Sequence, residues 1–139
     1  MKNIIEDIPF SVNGKGMYEI TDRVNDYVLR NSLTQGQLNL FIKHTSASLA
    51  IMENASPEVL RDIDRFFSKL VPEKAKLYEH SLEGDDDMAA HLKLMLTQVS
   101  LTIPIKENRL NLGTWQGIYL FEHRYHANNR TICISYLGN

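Results

Sequence analysis

The sequence has little cysteine, no long apolar run and no cluster of basic residues. Its single cysteine, Cys133, excludes a disulfide within the chain, which is typical of proteins from a reducing compartment. No apolar run approaches the roughly 20 residues that a membrane-spanning helix needs, and acidic residues interrupt the N-terminal segment where a signal peptide has its apolar stretch. Lysine and arginine are scattered and the formal net charge is −2, so no basic field for nucleic acid is expected. We therefore expect a cytoplasmic protein whose partners include neither a membrane nor nucleic acid.

The chain has the length and composition of one globular domain, which we assign to residues 1–139. Hydrophobic residues make up 43% of it and charged residues 23%, which is ordinary for a globular protein with its own core. The spacing of the apolar residues predicts strands at 3–12, 37–45, 48–53, 100–105, 112–124 and 131–137. Helices are predicted to begin near Thr21, Pro57 and Asp87, the first capped by Thr21 itself and the second by Ser56. The predicted fold class is α+β, a compact single domain with a large, mostly antiparallel sheet and about three helices.

Three of the five histidines lie where a metal site can be built. His80 and His91 bracket the densest run of negative charge, in the segment EHSLEGDDDMAAHLKL, and His44 ends a predicted strand on its inward face. Asp87 and His91 are four residues apart on a predicted helix, so both project from the same face. Three imidazoles with one open position are typical of a reactive zinc ion or a similar metal, and neighbouring acids would orient the rings. The alternatives are a half-buried His44 bonded to a carbonyl group and a solvated His80.

Two further stretches place polar or aromatic side chains at the ends of predicted elements. Glu53 and Asn54 in MENAS follow a strand and precede a helix, so they are candidates for a base, a metal contact or an anion site, or they only complete a turn. Trp115 and Gln116 in LGTWQG lie between two glycines, which in a strand indicate a bulge or a close approach to the backbone. This pair is a candidate ligand wall, with a core tryptophan as the alternative.

Two arginines and a hydroxyl-rich stretch complete the candidates. Arg124 and Arg130 flank the last predicted turn, and each can bind a phosphate or lie in solvent at a hairpin end. HTSAS at 44–48 places hydroxyl groups beside a histidine, but a serine nucleophile is disfavoured because adjacent residues on a strand face opposite sides. No strand–GxSxG–helix turn is present either. These hydroxyls are therefore interpreted as hydrogen-bond donors to an anion or to the turn itself.

Four of these stretches, taken together and in order, resemble the YjbQ-like family. They are HTSASLAIMENASPEV, YEH with EGDDDMAAHLK, SLTIPI, and LGTWQGIYLFEHR. The resemblance implies a compact α+β domain with a large antiparallel sheet, assembled as a homotrimer with sheets packed around a threefold axis. The family is often named secondary thiamine-phosphate synthase, for a transferase reaction that joins hydroxymethylpyrimidine diphosphate to thiazole phosphate and releases pyrophosphate. The resemblance implies this reaction as a weak side activity beside an unsettled principal role.

The resemblance also assigns site residues one by one. It implies a divalent metal, zinc in particular, at His44, His80 and His91, with magnesium as the ion for diphosphate chemistry. The family's NENA motif falls on Glu53 and Asn54, its GTWQ motif on Trp115 and Gln116, and the arginine after its EH on Arg124. The sequence departs from the family at Met52, Ser56 and Ala89, where Asn, Asp and Pro are usual, and none of these changes removes a proposed ligand.

Three functions follow as hypotheses. The first is a thiamine-phosphate synthase type of transferase at a three-histidine metal cleft, with a small phosphorylated metabolite as substrate. In that reaction the metal and Arg124 would bind the diphosphate, and Glu53 would be the base. The second is a metal-dependent hydrolase of a small phosphorylated or amide substrate. The third is a trimeric protein that binds a metal or a metabolite without turnover.

Overall fold

Eight strands and three α-helices make up the computed structural model, which describes residues 1–139. The strands are β1 (Lys2–Asn13), β2 (Gly16–Glu19), β3 (Gly36–Ile42), β4 (Ala47–Glu53), β5 (Ser100–Lys106), β6 (Arg109–Leu110), β7 (Gln116–Glu122) and β8 (Ala127–Gly138). The helices are α1 (Thr21–Arg30), α2 (Pro57–Leu70) and α3 (Asp87–Leu96), with one 3₁₀ turn at Ala75–Leu77. This is the predicted α+β class. No helix is both long and apolar enough to cross a bilayer.

The strands form two antiparallel sheets rather than one. The larger sheet has five strands in the order β1-β8-β3-β5-β6, and the smaller has three in the order β2-β7-β4. The hydrophobic core draws on both sheets and on α1, with Leu38 and Leu40 from β3, Leu120 from β7 and Val28 from α1 among its fully buried members. The alternation of apolar residues in β3 is therefore explained by one face that packs on this core.

Strand β7 is buried on both faces. One face packs on the core, and α2 and α3 cover the opposite side of the small sheet. Ile118 and Leu120 point into the core, whereas Phe121 lies on the opposite face and packs edge-on against Phe67 of α2, with ring centroids 5.6 Å apart. Helix α3 lies beside β4, and its Ala90 is fully buried. The small sheet is thus a layer between the core and two helices.

The predicted bounds of β4 and the predicted starts of α2 and α3 agree with the structure within a residue, but three local predictions are wrong. Thr21 does not cap α1, because its hydroxyl group accepts the Ile118 N–H at 2.8 Å and donates to Glu19 at 2.8 Å. The stretch around Trp115 is a turn before β7, closed by the Gly113 N–H bond to the Gln116 side chain at 2.7 Å. Strand β8 begins at Ala127 rather than 131, because its pairing with β1 continues to the end of that strand.

Candidate metal centre

Asp87, His80 and His91 form a compact group at the start of α3. The Nε2 atom of His80 lies 2.7 Å from Asp87 Oδ2, and that of His91 lies 3.2 Å from the same oxygen. One potential ligand atom from each residue lies within 4.8 Å of the other two. The two imidazole rings are 5.5 Å apart between centroids. Two imidazole nitrogens and one carboxylate oxygen therefore converge on a single point.

Local helix geometry and a fastened loop build this group. Asp87 is the first residue of α3 and His91 lies one turn later, so their side chains meet on one face. His80 arrives from the loop between α2 and α3, which is held at its start because the Ala75 N–H donates to Asp85 Oδ1 at 2.7 Å. The same loop is tied to α3 by the Lys93 ammonium group, which donates to Glu73 at 2.7 Å.

Arg124 holds the acidic side of the group in place. Its guanidinium group donates through Nε to Asp86 Oδ2 at 3.0 Å, through Nη1 to Asp87 Oδ1 and through Nη2 to the Glu83 carbonyl at 2.9 Å. The N–H of Tyr125 also donates to Asp86 Oδ2, at 2.8 Å. Each nitrogen of the Arg124 side chain thus makes one of these bonds, and Arg124 orients the carboxylates of the group.

The hydrogen bonds of His91 show that the group suits a cation. Its Nδ1 lies 2.6 Å from the Thr45 carbonyl oxygen, which can only accept, so the ring proton is on Nδ1. In the neutral ring the Nε2 lone pair then faces the Asp87 carboxylate at 3.2 Å, and two acceptors oppose each other. A divalent ion between them removes this conflict, as does a proton on the ring, and the donor set of two imidazoles and a carboxylate suits zinc.

Asp87 is kept as a carboxylate by its surroundings. Its side chain is only 3% exposed, and burial alone would raise its pKa. The hydrogen bond from His80 and the nearby His91 and Arg124 outweigh burial, and the pKa of Asp87 is lowered from its ordinary value. By contrast, the His80 side chain is 51% exposed, so the group opens to solvent on that side.

His44, the third predicted ligand, lies outside this group. Its Nε2 accepts the backbone N–H of Thr131 at 2.8 Å, and its Nδ1 faces the Arg130 guanidinium at 3.4 Å. The strand alternation that predicts an inward-facing side chain ends at Ile42, where β3 ends, so His44 is turned toward β8. The sequence predicts three imidazoles; the structure brings together two, with Asp87 in the third place.

The remaining candidates divide between the two ends of the small sheet. Glu53 and Gln116 are paired in the register of β4 and β7, and Ala47 and Glu122 are paired at the other end. The six-residue separation corresponds to about 20 Å. Arg124 follows the end of β7 that carries the histidine group. The four residues Glu53, Asn54, Trp115 and Gln116 therefore lie far from that group within one chain.

The far cluster has its own local structure. Asn54 donates through its side chain to Glu19 at 3.3 Å and through its backbone to the Trp115 carbonyl at 3.1 Å. The Trp115 side chain is 64% exposed, which excludes the core tryptophan considered as an alternative. Gly117 is the close approach that the sequence indicates, because a Cβ there would lie 2.8 Å from Glu19 Oε2 and 3.0 Å from Asn54 Cβ.

The sequence places Asp87 and His91 on one helix face but does not mark Asp87 as a candidate ligand. The negative charge at a helix N-terminus has a sufficient explanation in the helix dipole, and this conceals a carboxylate with a second role. The signal that finds it is the i, i+4 spacing of Asp87 and His91 combined with a histidine in the preceding loop. Asp86, the residue at the N-cap position, makes no capping bond because Arg124 and Tyr125 occupy its carboxylate.

Comparison with known proteins gives one family. The family model described as UPF0047 protein YjbQ-like matches residues 6–139. The chain is 42% identical over 133 residues to UPF0047 protein sll1880 of Synechocystis, covering 96% of this chain and 90% of that protein. It is 44% identical over 132 residues to UPF0047 protein YjbQ of Salmonella typhimurium, covering 94% and 95%. The solved structure of conserved hypothetical protein TT1486 from Thermus thermophilus shares the fold with a TM-score of 0.84 at 30% identity, covering 95% and 99% of the two chains. The chain belongs to the UPF0047 YjbQ-like family.

Proposed function

We propose that this protein is a metal-dependent enzyme that acts on a small phosphorylated metabolite. His80, Asp87 and His91 would hold a divalent ion, and zinc suits two imidazoles better than magnesium does, since magnesium prefers oxygen ligands. The observation that carries the proposal is the approach of two imidazole nitrogens to one buried carboxylate oxygen, since His80 Nε2 and His91 Nε2 lie 2.7 and 3.2 Å from Asp87 Oδ2. When bound, the ion would act as a Lewis acid toward a phosphoryl oxygen or a water molecule.

The chain's own residues prepare this place for chemistry. The Thr45 carbonyl keeps the His91 proton on Nδ1, so that Nε2 is free to bind. Arg124 holds the carboxylates of Asp86 and Asp87 in position. The exposed side of His80 leaves room for a substrate to approach. Hydrolysis of a small phosphate ester is the reaction that needs no residue beyond this group and a water molecule.

The transferase reaction that the family resemblance implies is the second candidate. It would use Glu53, Asn54, Trp115 and Gln116 around the pyrimidine and thiazole partners, and these residues lie about 20 Å from the histidine group within one chain. For this reaction to occur in a single cleft, a second copy of the chain must place its Glu53 and Gln116 beside the histidine group of the first copy. The homotrimer that the resemblance implies would supply such a copy.

Elemental analysis tests the metal centre. We expect His80→Ala and His91→Ala to lose the bound metal of the purified protein, while His126→Ala, in the exposed turn before β8, keeps it. Folding should change little, because neither ring is buried. Equal metal content in all of these proteins would contradict the assignment.

Activity assays distinguish the three functions. The metal-loaded protein is incubated with a panel of phosphate esters, and separately with hydroxymethylpyrimidine diphosphate plus thiazole phosphate, with and without a chelator. Release of phosphate that the chelator abolishes supports the hydrolase, and release of pyrophosphate only when both partners are present supports the transferase. Metal-dependent binding of these compounds without turnover would instead favour the non-enzymatic hypothesis.

A further inference from the structure

His44 faces a hydrogen-bond donor that it cannot satisfy. Because its Nε2 accepts the Thr131 N–H at 2.8 Å, the proton of the neutral ring is on Nδ1. Nδ1 then donates toward Arg130 Nη1, 3.4 Å away, which also donates. Rotating the ring by 180° places a carbon atom against the Thr131 N–H, so it does not resolve the conflict. Two donors are therefore directed at the same space, and an acceptor is required there.

The Arg130 guanidinium is held so that only one of its nitrogens is available. Nε and Nη2 donate to the two oxygens of Glu122 at 2.7 and 2.6 Å, and this carboxylate is fully buried. Nη2 also donates to Ser46 Oγ at 2.9 Å. Nη1 has no acceptor in the protein and faces His44. The buried ion pair thus fixes the direction in which Nη1 presents its hydrogens.

A third donor lies beside these two. Ser46 Oγ accepts from Arg130, so its own hydrogen remains free to donate. Ser46 lies on the same short connection between β3 and β4 as His44 and Thr45. The Thr45 carbonyl accepts from His91, so this connection also forms one side of the candidate metal centre.

We propose that His44, Ser46 and Arg130 form a subsite for a phosphoryl group beside the metal centre. Three neighbouring donors, one of them a guanidinium nitrogen, suit the terminal oxygens of a phosphate, and the imidazole contributes a neutral N–H. All three Arg124 nitrogens already make a bond within the protein, whereas Arg130 Nη1 has no acceptor there, so Arg130 is the arginine better placed to bind a phosphoryl group. Binding of phosphate at this subsite does not depend on the proposed function. Only the identification of that phosphate as part of a substrate rests on the proposed function. Half-burial and the neighbouring Arg130 lower the pKa of His44, in agreement with a neutral ring.

Titration with inorganic phosphate after removal of metal by a chelator tests the subsite alone. We expect saturable binding that is weakened about tenfold in His44→Gln, because glutamine keeps an acceptor for the Thr131 N–H but loses the Nδ1 donor. His126→Gln is the matched control and should bind as the unaltered protein does. His91→Ala should also retain phosphate binding, since it affects only the metal centre.

Nitrogen NMR of the imidazoles gives a readout that needs no variant. Phosphate should shift the His44 Nδ1 resonance and leave that of His126 in place. The assignment is overturned by a lack of saturable binding, by equal affinity in His44→Gln, or by binding that His91→Ala abolishes and His44→Gln retains. Loss of metal in His91→Ala with phosphate binding unchanged supports both proposals, whereas equal metal content there contradicts only the metal centre.

Discussion

At the scale of single residues, His123 shows how strongly burial changes an ionisable group. It is fully buried, its Nε2 lies 2.9 Å from Ser48 Oγ, and its Nδ1 has no partner within the protein. Burial lowers the pKa of His123 to about 3, with the positive charges of Lys93 and Arg130 acting in the same direction. A histidine in the middle of an apolar pattern is here a neutral core residue and not a ligand.

This lowered pKa makes the stability of the protein depend on pH. The unfolded chain takes up a proton near pH 6.5 and the folded one only near pH 3, so stability is lost as the pH falls through this window. We expect the free energy of unfolding to fall by roughly 1.5 kcal/mol more in the unaltered protein than in His123→Gln between about pH 6.5 and pH 5. Urea unfolding at both pH values measures the difference.

Between about pH 6.5 and pH 5 the titration of His123 can be measured apart from that of its acidic neighbour Glu73. Burial would raise the pKa of Glu73, but Lys15 and Lys93 lower it to about 2, so its loss of stabilisation lies at lower pH. His126→Gln serves as the control, since it removes an exposed histidine of the same type. If the free energy of unfolding had the same pH slope in His123→Gln and in the unaltered protein, burial would not hinder the uptake of a second proton by the His123 ring.

At the scale of secondary-structure elements, the contact of β3 with the end of β8 depends on two glycines. Gly36 opens β3 and is paired with Gly138 in the register of the large sheet. A Cβ on Gly36 would lie 2.4 Å from the Leu137 carbonyl oxygen and 2.7 Å from the Gly138 Cα. These are backbone atoms of a paired strand, so they cannot move aside without disturbing the sheet.

Alanine at position 36 should therefore destabilise the fold. We expect Gly36→Ala to lower the free energy of unfolding by about 2 kcal/mol or more, as overpacking against a fixed neighbour does. In Gly113→Ala the nearest atom is the flexible Gln116 Oε1 at 3.3 Å, and a cost below about 1 kcal/mol is expected. Thermal or denaturant unfolding of the two variants measures the contrast, and equal costs would refute the steric explanation.

At the scale of the whole molecule, two apolar surfaces remain exposed. The outer face of the large sheet presents Ile5, Phe41 and Leu137, which alternate with the residues that point into the core. The second surface lies along α2 and α3 and includes Phe66, Leu70 and Leu96. Large exposed apolar side chains of this kind are candidates for a face that another chain covers, although on the large sheet they are interspersed with polar residues such as Asn39 and Ser135.

The homotrimer implied by the family resemblance makes a specific prediction about these surfaces. In a trimer whose large sheets pack around the threefold axis, the outer face of that sheet would be covered, so Leu137→Glu should dissociate the assembly and Leu96→Glu should not. Light scattering is expected to give three times the mass of the chain for the unaltered protein and for Leu96→Glu. A monomeric unaltered protein would contradict the trimer. Dissociation by Leu96→Glu alone would show that the subunits contact each other through α2 and α3 instead of the large sheet.

Much of the local structure could be predicted because it depends on neighbours in sequence. Ser56 and Pro57 mark the start of α2, and the buried alternation of Leu38, Leu40 and Ile42 marks β3. The shared face of Asp87 and His91 follows from helical spacing in the same way. The short strands β2 and β6 were not predicted, since two to four residues carry no period and exist only through pairing.

Local patterns were enough to predict the fold class, the family and the pairing of Asp87 with His91, because periodicity and motifs act over a few residues. The folded chain alone shows that His80 joins this pair, that His44 turns toward Arg130, and that Glu53 lies at the opposite end of the small sheet. Those distances depend on strand register and on the path of the loop after α2. Both are determined by contacts between residues remote in sequence, which no local pattern records.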